Sequence, residues 1–341
     1  MALPSVATLF VNTIDRRIEE VIKVDQNDET VLADEFGEYI VTASIKAQMV
    51  EMLGAYDQVR NRATEGVGVW VSGFFGSGKS SFAKLVGLAM ANRSVGGIPA
   101  SKLLAKAADD PKVAVLLKQI TEHRPTDAVI FDVSTDRFVK AGDEPLTRIV
   151  YRLFLTHLGY ARDLDLAELE IALEGEGRLA SFEAEYFKIY NKDWNRNKSL
   201  PAFAINQASA VMNQLEPETF PSKDSWMRGA QNRADISAGL LAERCKLLMD
   251  RRRPGQNLVF VVDQVGQYVA RDLKKMLDLQ GIVKGLGQVG RGRFWIVVTS
   301  QEKLNELVAG LDDKRSELHR LMDRFPVQVH LEPADISEVT S

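Results

Sequence analysis

Apolar residues in this chain follow two rhythms. Five short runs are almost continuously hydrophobic: Gly66–Val71, Asp127–Val133, Asn257–Asp263, Phe294–Thr299 and Val327–Leu331. Runs of that length, rich in Val, Ile and Phe, predict strands buried on both faces, as in a parallel sheet covered by helices. Elsewhere the spacing is three or four. Val41, Ile45, Met49, Leu53 and Tyr56 predict an amphipathic arm helix from Glu38 to about Tyr56, packed on the core. Phe82, Leu85, Val86, Ala89 and Met90 predict a helix directly after the first strand. The expected class is α/β, a five-stranded parallel sheet flanked by helices.

Residues 134–256 separate the second strand from the third, far more than a single crossover helix requires. The stretch from Pro145 to Asp250 reads as helical, with breaks at Glu174–Gly177, Leu200-Pro201 and Glu216-Pro217. The expected organisation is an arm over 1–60, a core over 61–144 and 250–335, and a large helical insertion over 145–249. Residues 336–341 are expected to begin a further lid region.

Between the first strand and its helix lies Gly73-Phe74-Phe75-Gly76-Ser77-Gly78-Lys79-Ser80, followed by Ser81. A triphosphate needs many donors at once, and glycines let backbone N–H groups turn inward as an anion nest. In a loop of this Walker A form the lysine reaches the β- and γ-phosphates and the hydroxyl of the next residue ligates Mg²⁺. The expected fold is therefore a P-loop NTPase, binding ATP and Mg²⁺ through residues 73–81.

The third strand delivers Asp263 to the carboxyl edge of the sheet, where ligands of open α/β sheets bind. A Walker B acid there holds Mg²⁺, usually through water. The next residue, Gln264, occupies the position at which hydrolytic AAA+ ATPases commonly carry a Glu that activates water. An amide cannot accept that proton, so turnover is expected to be slow while binding is kept. A Gln here is either a naturally weak site or a substitution that traps the ATP-bound state; the completeness of the remaining motifs favours the second. Thr299 and Ser300, ending the fourth strand, are candidates for orienting the water or the γ-phosphate. Arg324, just before the fifth strand, is a candidate arginine finger acting on a neighbouring subunit, with a surface ion pair as the competing reading.

Four stretches taken together are more specific than a generic phosphate loop. They are Asp15–Gln26, Glu38–Thr42, Gly68–Ser80 with its Gly-Phe-Phe-Gly form, and Val262–Val269. They resemble the amino-terminal ATPase region of the BrxC/PglY family, large P-loop proteins of BREX and phage-growth-limitation defence systems. The resemblance implies an AAA+-like ATPase working with a methyltransferase and a PglZ-type protein against phage DNA. Where the family pattern reads Asp-Glu-Val-Gly-Gln-Tyr, this chain has Gln264. Family members are also much longer, which makes an excised amino-terminal module the expectation.

Lys+Arg 43 against Asp+Glu 47 give a net charge of −4, without the global basic signature of a nucleic-acid binder. Local groups remain as a DNA-contact reading: Lys188, Lys192, Arg196 and Lys198 interleaved with Tyr186, Tyr190 and Trp194, plus Arg251–Arg253, Arg291 and Arg293. The aromatic spacing of i, i+4 and i+8 fits a helix face packed on its own core better, and the arginine cluster reads as a solvated loop. The lone Cys245, the lack of a leader or bilayer-length apolar run, and four scattered histidines point to a soluble cytoplasmic chain without a zinc site. Two functions stay open: an ATPase, expected to be a homo-oligomer, and a nucleotide-gated scaffold in which turnover is incidental.

Overall fold

The computed structural model describes Val24 and residues 27–59, 62–134, 144–230, 236–270, 272–309 and 321–332. Two helices, α1 (Glu29–Glu38) and α2 (Ala43–Gln58), precede strand β1 (Gly68–Gly73), and α3 (Lys79–Met90) follows it. A hairpin of β2 (Ser94–Val95) and β3 (Ile98–Pro99) leads through α4 (Ala100–Ala108) and α5 (Pro111–His123) to β4 (Thr126–Asp132). Seven helices then intervene: α6 (Leu146–His157), α7 (Leu164–Gly175), α8 (Leu179–Tyr190), α9 (Trp194–Asn197), α10 (Pro201–Leu215), α11 (Ser225–Ala230) and α12 (Ala238–Arg252). The chain returns as β5 (Asn257–Asp263), α13 (Val265–Val269), α14 (Leu273–Gly290), β6 (Phe294–Ser300), α15 (Leu304–Ala309) and β7 (Val327–Leu331).

The five long strands form one parallel sheet in the order β4-β5-β6-β1-β7, helices flanking it. All five lie within a residue or two of the hydrophobic runs, because a strand covered on both faces must be apolar throughout. Running from β1 to β4 and from β5 to β6 takes the chain across the sheet in opposite directions. Right-handed crossovers therefore place α3 on one face and α14 on the other. Helix α3 approaches so closely that a Cβ at Gly87 would lie 2.7 Å from Val261 Cγ2. Gly68 is equally constrained, since a Cβ there would meet the Arg324 carbonyl oxygen at 2.4 Å.

The expected arm helix is two helices. Asp28 caps α1 and Thr42 caps α2, each side chain accepting from N–H groups of the following turn, so the chain breaks at Tyr39–Val41 and Glu38 ends α1 instead of starting the long helix. Tyr56 near the end of α2 donates or accepts at Thr126 Oγ1, lies edge-on to Trp295 and sits under the Arg124 guanidinium. Those partners lie at the amino ends of β4 and β6, so α2 is a layer of the core. The Asp15–Gln26 stretch, Val24 apart, and residues 336–341 lie outside the described residues.

The insertion is narrower than 145–249. Helix α6 packs on β4 and α14, and α12 packs on α14, so both belong to the sheet's helical layer. Between them α7 to α11 build a satellite around buried Glu170. Its carboxylate accepts from Trp194 Nε1 at 2.7 Å, Ala161 N at 2.6 Å and Lys198 Nζ at 2.9 Å, which meets the hydrogen-bonding demand of a buried charge. The aromatic face is not one helix. Asn191 ends α8 in a left-handed cap, and Trp194 returns from α9 edge-on to Phe182 and Tyr186.

Candidate nucleotide site

The carboxyl edge of the sheet gathers the residues that the motifs single out. Gly76 and Gly78 have φ of +78° and +83°, a region side chains rarely adopt, and they turn the main chain after β1 into the amino end of α3. Gly73 is fixed by space: a Cβ would meet Leu331 O and Ser77 Oγ, each at 2.6 Å. The first N–H groups of α3 have no intrahelical acceptor, and the helix dipole adds partial positive charge there. Ser77 Oγ is buried without a hydrogen-bond partner. An orphaned hydroxyl beside the amino end of a helix fits a polyanion that supplies the missing acceptor.

Lys79 opens α3, and its Nζ donates to the Phe74 carbonyl at 2.6 Å, bracing the loop across its width. Partial burial pushes the Lys79 ammonium below its ordinary range, while the negative charge of Asp263 works against that shift. Ser80 Oγ donates to Asp263 Oδ2 at 2.7 Å, and the Thr299 hydroxyl donates to Asp263 Oδ1. One buried carboxylate between two hydroxyls is a set of hard oxygen donors suited to Mg²⁺, which keeps most of its waters. Ser81 follows in the first turn of α3. Phe74 and Phe75 stand out from the loop, Phe75 at 88 % exposure.

Thr299 and Ser300 part company because successive strand residues face opposite sides of a sheet. Thr299 joins Asp263 and also accepts from the Gln264 backbone N–H at 2.9 Å. The Ser300 hydroxyl instead accepts from Glu302 N at 3.1 Å and lies against Gly266, where a Cβ would come within 2.0 Å of it. Arg324 sits at the opposite, amino edge, its carbonyl accepting from Gly68 N and its guanidinium 4.0 Å from Glu65. The six residues of β1 place roughly 20 Å between the two edges, so this side chain does not serve its own loop.

One member of the constellation escaped the sequence reading. Asp132 ends β4 beside Asp263, and its Oδ2 accepts from Gln264 Nε2 at 2.9 Å. The available signal was Phe131-Asp132, an acid closing a hydrophobic run as Val262-Asp263 does.

The basic groups weighed for DNA contact are largely occupied within the chain. Lys198 serves Glu170, and Tyr186 and Trp194 are buried. Arg251 and Arg252 are the last turn of α12, not a loop, and both pair with Glu174, while Arg253 reaches Asp127 and Arg293 reaches Asp250. Among the described residues no helix is long and apolar enough to cross a membrane. No protein-family model and no solved structure matches the chain.

Proposed function

We propose that this chain is an ATP-binding, AAA+-like P-loop ATPase module whose turnover is slow. The observation that carries the reading is a convergence at one end of α3: left-handed Gly76 and Gly78, the Lys79 ammonium, and Ser80 bonded to Asp263. Phosphates would be held by the loop amides and Lys79, and Mg²⁺ by Ser80 and, through water, Asp263. Bound Mg²⁺ supplies charge neutralisation on the transferring phosphoryl group. The strand order supports the same class, because β6 lies between the phosphate-loop strand and the strand that ends in Asp263.

The sequence resemblance supports a role in BREX-type anti-phage defence, with a PglZ-type protein and a methyltransferase as partners and self-assembly that brings Arg324 to a neighbour's nucleotide. The Gln264 amide favours a second reading, a scaffold that ATP occupancy organises without turnover. Calorimetry with Mg²⁺ and ATP tests what both share. Binding is expected in the folded chain and lost in Lys79→Ala; no heat from the parent, or unchanged affinity in the variant, removes both.

A further inference from the structure

Residue 264 faces a carboxylate, and that decides which side chain fits there. Asp132 is buried, at 8 % exposure; its Oδ1 accepts from the Ser134 backbone N–H at 2.7 Å and its Oδ2 from Gln264 Nε2 at 2.9 Å. The Gln264 main chain is left-handed, φ 61°, and its N–H is tied to Thr299 Oγ1, so the backbone aims the side chain across the strand ends toward β4. A glutamate at 264 has no N–H to give and would set a second negative charge against Asp132.

We propose that Asp132 is a positioning residue that makes glutamine the fitting side chain at 264. By taking the amide N–H, Asp132 fixes which way the amide points and leaves its carbonyl oxygen as the acceptor for a water hydrogen. Gln264 thereby orients the attacking water without removing its proton. The water oxygen bonds to the γ-phosphorus as the bond from that phosphorus to the β,γ-bridging oxygen breaks, the electron pair leaves with ADP, and the water's proton ends on the released phosphate or in solvent. This rests on the nucleotide reading above. It also changes the meaning of Gln264: the site is built for an amide, and restoring a glutamate alone does not make it fast.

The test combines Asp132→Asn, Gln264→Glu and the exchanged pair Asp132→Asn/Gln264→Glu, each measured for Mg²⁺·ATP affinity by calorimetry and for phosphate release. Asp132→Asn is expected to keep affinity within about threefold and to lower kcat by about tenfold or more, at unchanged KM, since orientation is lost and binding is not. Gln264→Glu alone is expected to gain little. The exchanged pair, which keeps the hydrogen bond with donor and acceptor reversed, is expected to exceed both single variants by on the order of 10²-fold, the worth of a general base. Unchanged kcat in Asp132→Asn overturns the proposal, as does a full gain in Gln264→Glu alone. Should Asp132→Asn fail to fold, the comparison of Gln264→Glu with the exchanged pair decides by itself. Loss of ATP binding in the parent defeats the nucleotide reading instead.

Discussion

Removing the Glu35 carboxylate should destabilise this protein more than removing its lysine partner. Lys84 lies on α3, one turn beyond Ser80, and is 1 % exposed; its Nζ is 2.7 Å from Glu35 Oε2 on α1, whose side chain is 14 % exposed. Glu35→Ala strips the main counter-charge from a buried ammonium, and breaking a buried pair from one side costs about 3–5 kcal/mol. Lys84 keeps interactions beyond Glu35, so the lower end of that range, about 3 kcal/mol, is expected. Lys84→Met leaves a carboxylate whose Oε2 is enclosed but whose side chain keeps 14 % exposure and can rotate toward water, and should cost about 1–2 kcal/mol, with the methionine filling the stem's place. Urea unfolding at constant m value measures both. A Glu35→Ala chain within about 1 kcal/mol of the parent would refute the reasoning.

Gly266→Ala should lower stability by about 1–3 kcal/mol in the same titration, since its Cβ would fall 2.0 Å from Ser300 Oγ with the strand backbone directly behind. Cys245 is fully buried, and burial pushes its thiol well above the usual range; a disulfide-exchange reagent should label it only as the chain unfolds, and rapid labelling of folded protein would contradict that placement. Asp127 is held below its ordinary range: burial opposes this, but the hydrogen bond and charge of His157 and the Arg253 guanidinium outweigh it. Its contribution to stability is present above the unfolded carboxylate value and lost as pH falls through the lower folded value, so in urea unfolding His157→Ala should be less stable than the parent above about pH 4 and converge on it as the pH falls further.

The sheet and the glycine-rich turn after β1 were legible because each depends on local sequence. Continuous hydrophobic runs mark strands buried on both faces, and glycines at 73, 76 and 78 mark a main chain that side chains exclude. Contacts between distant segments were not legible. Helices α4 and α5 escaped a reading that followed only the strands and the loop helix. The break before Thr42 was hidden because Val41 keeps the apolar rhythm across it. Arg251 and Arg252 looked like a solvated loop because Glu174, 78 and 77 residues upstream in the pairs with Arg252 and Arg251, is remote in sequence. Asp132 was missed for the same reason: its partner lies 132 residues away, and only the parallel pairing of β4 with β5 brings them together.

Topology also decides how Arg324 can act. The amino edge of the sheet holds it beside Glu65, roughly 20 Å from the glycine-rich turn at the other end of β1, a span no arginine side chain covers. Its Nε is buried without a partner and its contact with Glu65 is long, so the guanidinium is not locked in a tight ion pair. If it contributes to turnover it does so on another copy's nucleotide, and the two defects then complement. Lys79→Ala keeps the arginine and loses the nucleotide, whereas Arg324→Ala keeps the nucleotide and loses the arginine. Each alone should be nearly inactive in phosphate release, and Arg324→Ala should bind ATP normally as a single copy. Mixing them lets the Lys79→Ala partner present its arginine to a loaded Arg324→Ala site, so turnover should rise above the sum of the separate rates and do so more at higher protein concentration. An arginine finger is worth about 10³–10⁵-fold in phosphoryl-transfer enzymes that use one, so even a small fraction of correctly paired sites would be measurable. Additive rates at every concentration, with ATP bound by one variant and not the other, would leave Arg324 as no more than a neighbour of Glu65.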